Sequence, residues 1–387
     1  MNRIYPFVPP IEAAVQLTTP DCQIIIIIYQ TPLQGGTLLP RKKRKSISRR
    51  KKMIRRILVI VGLIVAIPIL VYGARIYNLY NTVHQSLDDE EFEAYEPEET
   101  KVDEDSDDDY EEDVDAESMP EDEVEAMKFV DDPFYEAERS EPNPDHLNFL
   151  LMGVDDNHHR SSTLSDTIMV IHFNTKTEEA AILSIPRDTF VRIPDRGYDK
   201  INHSSAFGGT RLLKETTERY LDIHIDHYIR LDMVGLRASI DSIGGIQIDV
   251  PYRMVQHDGK HLFDPGPQHM TGRDVFHYVS ARKLIEGEGS DFGRIKRQQQ
   301  VVMELLRIIR EDLSLNQTLN LMEDVSPYMR MDIGPGLVAN HWNAFNRLNL
   351  NAIEIETLSG DSIMHQGVYY YRVPIEDARE TMKSLTQ

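Results

Sequence analysis

The chain has 387 residues, a formal net charge of −22 and one cysteine, Cys22. A single cysteine excludes a disulfide framework or a cysteine metal cluster within one chain. The charge is segregated: residues 1–87 carry 13 Lys/Arg against 2 Asp/Glu, residues 88–145 carry 3 against 29, and the remainder is only mildly acidic at −7. The total therefore describes a tail, and excludes overall charge as a guide to the partner of the folded part.

In chain order, residues 1–40 are expected to form a poorly ordered extension. Its apolar run Ile24–Ile28 is too short to span a membrane. Arg41 to Arg56 reads RKKRKSISRRKKMIRR and is followed at once by Ile57–Ala74, 18 residues without a charge. That length suits one transmembrane helix, residues 57–74. No small-residue cleavage site follows, and Tyr72, Tyr77 and Tyr80 suit an interfacial belt. The basic segment 41–56 is then cytoplasmic and everything after the helix extracellular. As a topology signal, the basic run loses its claim on nucleic acid. Residues 75–145 are expected to be an acidic, disordered extracellular linker. From 88 onward this composition cannot bury enough apolar surface to offset ordering entropy.

Three short apolar runs open the next region: Leu147–Val154, Thr167–Phe173 and Ala180–Ile185. Each reads as a buried strand. Asp155 and Asp156 follow the first, Asp166 precedes the second, and Arg187 and Asp188 follow the third. Each alone is readily a turn residue or cap. Three adjacent strand ends, however, converge on one rim of a sheet, where open α/β sheets bind ligands. Carboxylates beside an arginine can hold a divalent cation and a phosphate together.

Tyr198, Lys200, Asn202 and His203 then lie between the third strand and a helix over Thr210–Leu221, whose start Gly208 and Gly209 interrupt. His227–Leu231 and Ile246–Val250 read as strands around a helix at Asp232–Ile243. This alternation argues an α/β/α sandwich. Pro251–Pro267 reads as loop, Gly272–Arg282 as helix and Lys283–Gly293 as a flexible loop. Gly293–Leu313 is an amphipathic helix with Val302, Leu305, Leu306 and Ile309 as its buried stripe. Arg294 and Gln298 share a face of its first turns, where free N–H groups suit an anion; Arg297 points elsewhere. A solvated first turn is the competing reading. The stripe Leu319, Leu321, Met322 and Val325 and the run Tyr369–Tyr371 read as core.

His158–His159 and His257, His261, His269 fit no tight zinc spacing, and GxSxG, P-loop and Rossmann glycine patterns are absent from the sequence.

The segments GVD, SDT, SIPRDT, KINHSSAFGG, SIGGIQIDVP, YVSARK and DFGRIKRQQQ occur in that order across about residues 147–311. Together they resemble the LytR–CpsA–Psr family. The resemblance implies a catalytic domain over 146–315, with a C-terminal helical and strand region, 316–387, packed on it. It implies a Mg2+- (or Mn2+-) dependent phosphotransferase of a Gram-positive type envelope. Such an enzyme moves a glycopolymer, teichoic acid or capsular or secondary wall polysaccharide, from a polyprenyl-pyrophosphate carrier to peptidoglycan. It also implies an apolar pocket for the lipid. By position, Asp155 and Asp166 match the metal-side carboxylates. Arg187, Arg282, Arg294 and Gln298 match the pyrophosphate-binding groups, with Asp155, Asp166 and Arg187 catalytic.

Two positions depart from the family pattern. Leu164 and Ser280 stand where the family often has arginine; Arg160, Lys200, Lys283 and Arg297 are the candidate substitutes for those two cations. A polyprenyl-pyrophosphate hydrolase and a catalytically impaired lipid- or wall-binding regulator remain open. For the arginines the competing reading is local pairing, with Asp188, Glu286 or Asp291.

Overall fold

The computed structural model describes residues 14–19, 22–27, 69–84, 117–118, 140–154, 164–365 and 367–386. The chain divides into two compact units, Met1–Ala66 and Ile67–Gln387. Within the first, β1 (Ala14–Thr19) pairs antiparallel with β2 (Cys22–Ile27). This part of the extension, expected to be poorly ordered, is a hairpin; β-branched isoleucines favour the pleated backbone. The basic segment 41–56 and most of the expected membrane helix, residues 57–68, lie outside the described residues. No helix among the described residues is long and apolar enough to cross a membrane.

The second unit begins with a helix, α1, over residues 69–83. Residues 75–83, expected to be linker, are therefore ordered. Val83 is fully buried among Leu321, Val325 and Met329. The Arg75 guanidinium donates to both Glu323 carboxylate oxygens, to Asn316 Oδ1 and to Asn320 Oδ1, each at 2.8 Å. The short β3 (Glu117–Ser118) follows.

The three apolar runs form β4 (His146–Val154), β5 (Ser165–Asn174) and β6 (Glu179–Ser184), an antiparallel meander. Alternate residues of β4 serve opposite faces: Leu150 and Met152 enter one core, Leu147 and Phe149 another. The segment after β6 forms a hairpin, β7 (Phe190–Ile193) with β8 (Gly197–Lys200), that no sequence signal marked. Helix α2 (His203–Leu221) lays Leu213 and Tyr220 on the first core and starts earlier than the apolar pattern indicates. Gly209, at φ 63° and ψ −158°, breaks its helical path in a conformation that only glycine takes readily.

Next come β9 (His227–Asp232), α3 (Met233–Ser242) and β10 (Ile246–Val250). Asp232 caps α3 by accepting from the Gly235 N–H. The stretch 251–267, expected to be loop, holds β11 (Met254–Gln256), β12 (His261–Phe263) and the start of β13 (Gly266–Met270). Thr271 and Asp274 form a capping box on α4 (Gly272–Ser280), and β14 (Leu284–Glu286) follows in place of a structureless loop. Helix α5 (Asp291–Glu311) is covered on two sides. Its buried aliphatics are Ile295, Val301 and Ile308, while Val302, Leu305, Leu306 and Ile309 are only partly buried. The expected stripe was thus displaced, because Val301 and Ile308 serve one cluster and Ile309 another.

The C-terminal region comprises α6 (Leu315–Val325), β15 (Met329–Met331), α7 (Pro335–Arg347), β16 (Glu354–Thr357), β17 (Asp361–His365), β18 (Val368–Arg372) and α8 (Ile375–Leu385). It is not an appendage. The main sheet has the order β15-β9-β4-β5-β6-β16, so this region supplies both edges. Pairing is mixed: β4 with β9 and β6 with β16 are parallel, the others antiparallel. The fold is mixed α/β.

Candidate functional site

The rim anticipated from sequence is set by a close approach of β4 and β5. Gly153 faces Thr167, and a Cβ at Gly153 would lie 2.9 Å from the Thr167 Cβ. Glycine here lets the strand carrying Asp166 lie against β4 at its end. Arg187 is presented by the turn after β6, in which the Thr189 N–H and hydroxyl both donate to the Pro186 carbonyl. Arg282 follows the end of α4, one residue beyond its C-cap Ala281. Arg294 lies in the first turns of α5, after the Ser290 cap.

These residues meet. Arg187 Nη1 is 2.7 Å from Asp166 Oδ1, and its Nε is 3.3 Å from Asp188 Oδ2 and 3.7 Å from Asp291 Oδ2. Arg282 Nη2 is 3.5 Å from the same Asp166 oxygen. Arg294 Nη2 is 3.3 Å from Asp291 Oδ1. Asp291 therefore links Arg187 to Arg294, and Asp166 links Arg187 to Arg282. Behind them the buried Lys200 Nζ lies 2.9 Å from Asp188 Oδ1.

Arg294 is 2% exposed, yet its Nε and Nη1 atoms have no hydrogen-bond partner; neither does the buried Oε1 of Gln298 one turn on. Buried donors are ordinarily satisfied, and an unsatisfied buried charge is costly. Burial, reinforced by the neighbouring Arg282 and Arg187 and opposed by Asp291, pushes the Arg294 pKa down to about 10. Burial works against ionised Asp166, but Arg187, Arg294 and Arg282 outweigh it and hold the carboxyl below its ordinary value. For Arg187, burial is outweighed by Asp188, Asp166 and Asp291, so its pKa is raised.

The arrangement can accept an anion with several phosphate oxygens, because arginine forks bind such oxygens bidentately. It keeps the Asp166 carboxylate ionised beside them. Asp155 lies outside the described residues; it directly follows Val154, whose β-pair is Ser165. Among the described residues no group of three or more His, Cys, Asp or Glu could hold a metal ion. Mg2+ keeps several waters and needs only one or two carboxylates together with substrate phosphates. An ionised Asp166 fits that modest donor set.

The structure thus brings Asp166, Arg187, Arg282 and Arg294 together, with Gln298 adjacent on α5. The competing local pairs occur in part. Asp188 and Asp291 do bind Arg187, and Asp291 binds Arg294, while Glu286 pairs with Arg253 at 2.9 Å. Of the substitute cations, Lys200 neutralises Asp188, and Arg160 lies outside the described residues. Arg297 is buried and turned to the backbone. It donates to the carbonyls of Tyr278 and Glu288 at 2.8 Å each and to that of Ala281, and to the Tyr252 hydroxyl at 3.1 Å. It ties α5 to the end of α4, next to Arg282. Sequence reasoning missed this role and the bridging role of Asp291; an acidic residue in the first turn of α5 was the available signal.

A family model described as the LytR_cpsA_psr family matches residues 103–387. A polyisoprenyl-teichoic acid–peptidoglycan teichoic acid transferase TagU of Halalkalibacterium halodurans is 32% identical over 60% of this chain and 76% of its own. The TagU of Enterococcus faecalis is 31% identical over 67% of this chain and 86% of its own. Among solved structures, B. subtilis TagV superposes with a TM-score of 0.55 at 25% identity, covering 63% of this chain and 98% of that one. TagT bound to LI-WTA superposes with a TM-score of 0.51 at 25% identity, covering 65% and 93%.

Proposed function

The chain belongs to the LytR–CpsA–Psr family, and from that membership we propose that it transfers a glycopolymer from a polyprenyl-pyrophosphate carrier to peptidoglycan outside the cell. The relatives named for teichoic acid transfer support the reaction class. The observation that carries the reading to this chain is the buried Arg294, with two donors unpartnered and two further arginines beside it. Such a cluster is satisfied by a pyrophosphate.

In this reading Arg187, Arg282 and Arg294 bind the pyrophosphate oxygens, with Gln298 adjacent. Asp155 and Asp166 would hold Mg2+, which when bound supplies further positive charge to the same oxygens. The acceptor hydroxyl oxygen forms a bond to the glycan-side phosphorus. The bond from that phosphorus to the polyprenyl phosphate oxygen breaks, and the hydroxyl proton passes to a base. Fixed arginines stabilise the charge that gathers on the leaving phosphate without reorganising. The domain is anchored by residues 57–74, with the basic segment 41–56 in the cytoplasm.

The test is turnover of a lipid-linked glycan by the purified protein, with and without peptidoglycan fragments, in Mg2+ and in chelator. Glycan joined to peptidoglycan, dependent on Mg2+, is the expected result. Free glycan phosphate produced equally without acceptor would make the protein a hydrolase. Lipid binding without turnover would make it a regulator.

A further inference from the structure

Helix α1 changes character along its length. Ile69, Leu70, Val71, Ile76 and Tyr77 are exposed, Leu70 to 71%, whereas Leu79 is partly buried and Val83 fully. Residues 69–74 are also the end of the uncharged run 57–74. An apolar surface that wraps round a helix is stable in a protein core or in lipid, not in water. Where the uncharged run ends stands Arg75, whose fork grips the Glu323 carboxylate through both oxygens and also reaches Asn316 and Asn320. All three partners lie on α6, and the bidentate pair fixes direction as well as distance.

The two helices run side by side in the same sense. Along α1, Arg75 meets Asn316 to Glu323, Val83 meets Leu321, Val325 and Met329, and His84 bridges to Met331. The first turn of α6 therefore lies toward the apolar start of α1. Its first residue, Leu315, is 60% exposed, although it is apolar and adjoins Asn316 in the Arg75 clamp. Ser314 and Gln317 form a capping box at this end, which satisfies donors that an apolar surrounding would leave unpaired. The nearby Asp312 carboxylate is held by Arg307 at 3.0 Å. The continuity of exposed apolar residues from the uncharged run to Leu315 favours a lipid surface over a protein as their partner.

We propose that α1 and α6, clamped together by Arg75, mount the domain on the bilayer in one orientation, with Leu315 at the lipid interface. This rests on the membrane anchoring proposed above and adds to it how the domain is held. The orientation has a consequence for the arginine rim. The chain at His84 runs parallel to β15, β15 antiparallel to β9, and β9 parallel to β4. As α1 runs away from the lipid, β4 runs toward it, and the end of β4 beside Asp166 is on the lipid side.

The experiment uses the full-length protein in vesicles of phosphatidylcholine and phosphatidylglycerol. Cys22→Ser removes the native thiol, and Leu315→Cys carries a fluorophore that lipids with a headgroup-level nitroxide quench on contact. Arg75→Gln and Glu323→Gln break the clamp from either side, and melting temperatures check the fold. The expected result is fluorescence lowered about two-fold or more at position 315 with the clamp intact, since interfacial groups sit at nitroxide depth, and most of that quenching lost in both clamp variants. Flotation shows whether each protein stays on the vesicles. A floating protein whose probe is unquenched, or quenched equally with and without the clamp, would overturn the mount while leaving the anchor intact. Failure of the protein to float would overturn the anchor, and the mount with it. Neither readout depends on turnover, so both are independent of the transfer reaction.

Discussion

The Arg187 guanidinium meets the Asp166 carboxylate at 2.7 Å, joining the turn after β6 to the start of β5. Each keeps the other ionised in a place where burial opposes charge. The pair ties the two chain segments together at the rim.

Lysine in place of any of the three arginines keeps a charge and loses the planar fork. Arg187→Lys, Arg282→Lys and Arg294→Lys are each expected to lower transfer about ten-fold or more, a lost charged hydrogen bond being worth roughly 1.5–3 kcal/mol. Rates within three-fold of the unmodified protein in all three would show that the arginines serve only their own carboxylates.

Asp166→Asn is expected to abolish most transfer in saturating Mg2+. It should also weaken the hold on Arg187 and Arg282, which share this carboxylate. Parallel loss of activity and of Mg2+ dependence is the signature to look for. A variant still stimulated by Mg2+ to the original degree would remove Asp166 from the metal site.

His172 gives a pH dependence far from the site. It pairs with Asn148 across β4 and β5, its Nδ1 2.8 Å from Asn148 Oδ1, and its Nε2 lies 3.3 Å from His146 Nδ1. Burial and then His146 push its pKa down to about 4. The unfolded chain takes up the proton near pH 6.5, before the folded chain does, so stability is present above 6.5 and declines as pH falls toward 4. The loss should approach about 2–3 kcal/mol, and His172→Asn should flatten the slope of unfolding free energy over that interval. Asp166 does not confuse the measurement: its contribution, from a lowered carboxyl pKa, is lost only below the ordinary carboxylate range.

Arg297→Met leaves the carbonyls of Tyr278, Ala281 and Glu288 without their donor. Stability should fall by about 2–4 kcal/mol. Because the network adjoins Arg282, kcat at a temperature where the variant is folded should fall as well. Normal kcat with lowered stability would confine Arg297 to a structural role.

A fragment starting at residue 85 removes Val83 from its pocket among Leu321, Val325 and Met329. It should be less stable than one starting at 69 by at least about 1.5–3 kcal/mol, the worth of one buried aliphatic side chain. Equal denaturation midpoints would mean that α1 is not held on the domain.

Much of the site was legible in the linear order of residues. The β4, β5 and β6 runs are continuous apolar segments because both faces of each strand are covered, and their charged ends stand out against that background. Alternation of strands and helices gave the fold class, and the family motifs gave the set Asp166, Arg187, Arg282, Arg294 and Gln298. What failed were short elements. β7, β8, β11, β12 and β14 are three or four residues long, and a hairpin that short is held by its partners rather than by its own periodicity.

By itself the sequence determined which charges exist, which strand ends carry them, and that arginine, rather than lysine, recurs at three motif positions. Only the tertiary structure decided how those charges pair. That Asp291 binds both Arg187 and Arg294, that Arg297 turns to three carbonyls, and that β15 and β16 close the two edges of the sheet depend on contacts between segments distant in the chain. The physical reason is that hydrophobic periodicity records what a local element buries, whereas an ion pair or an edge strand is fixed by the partner that folding brings to it.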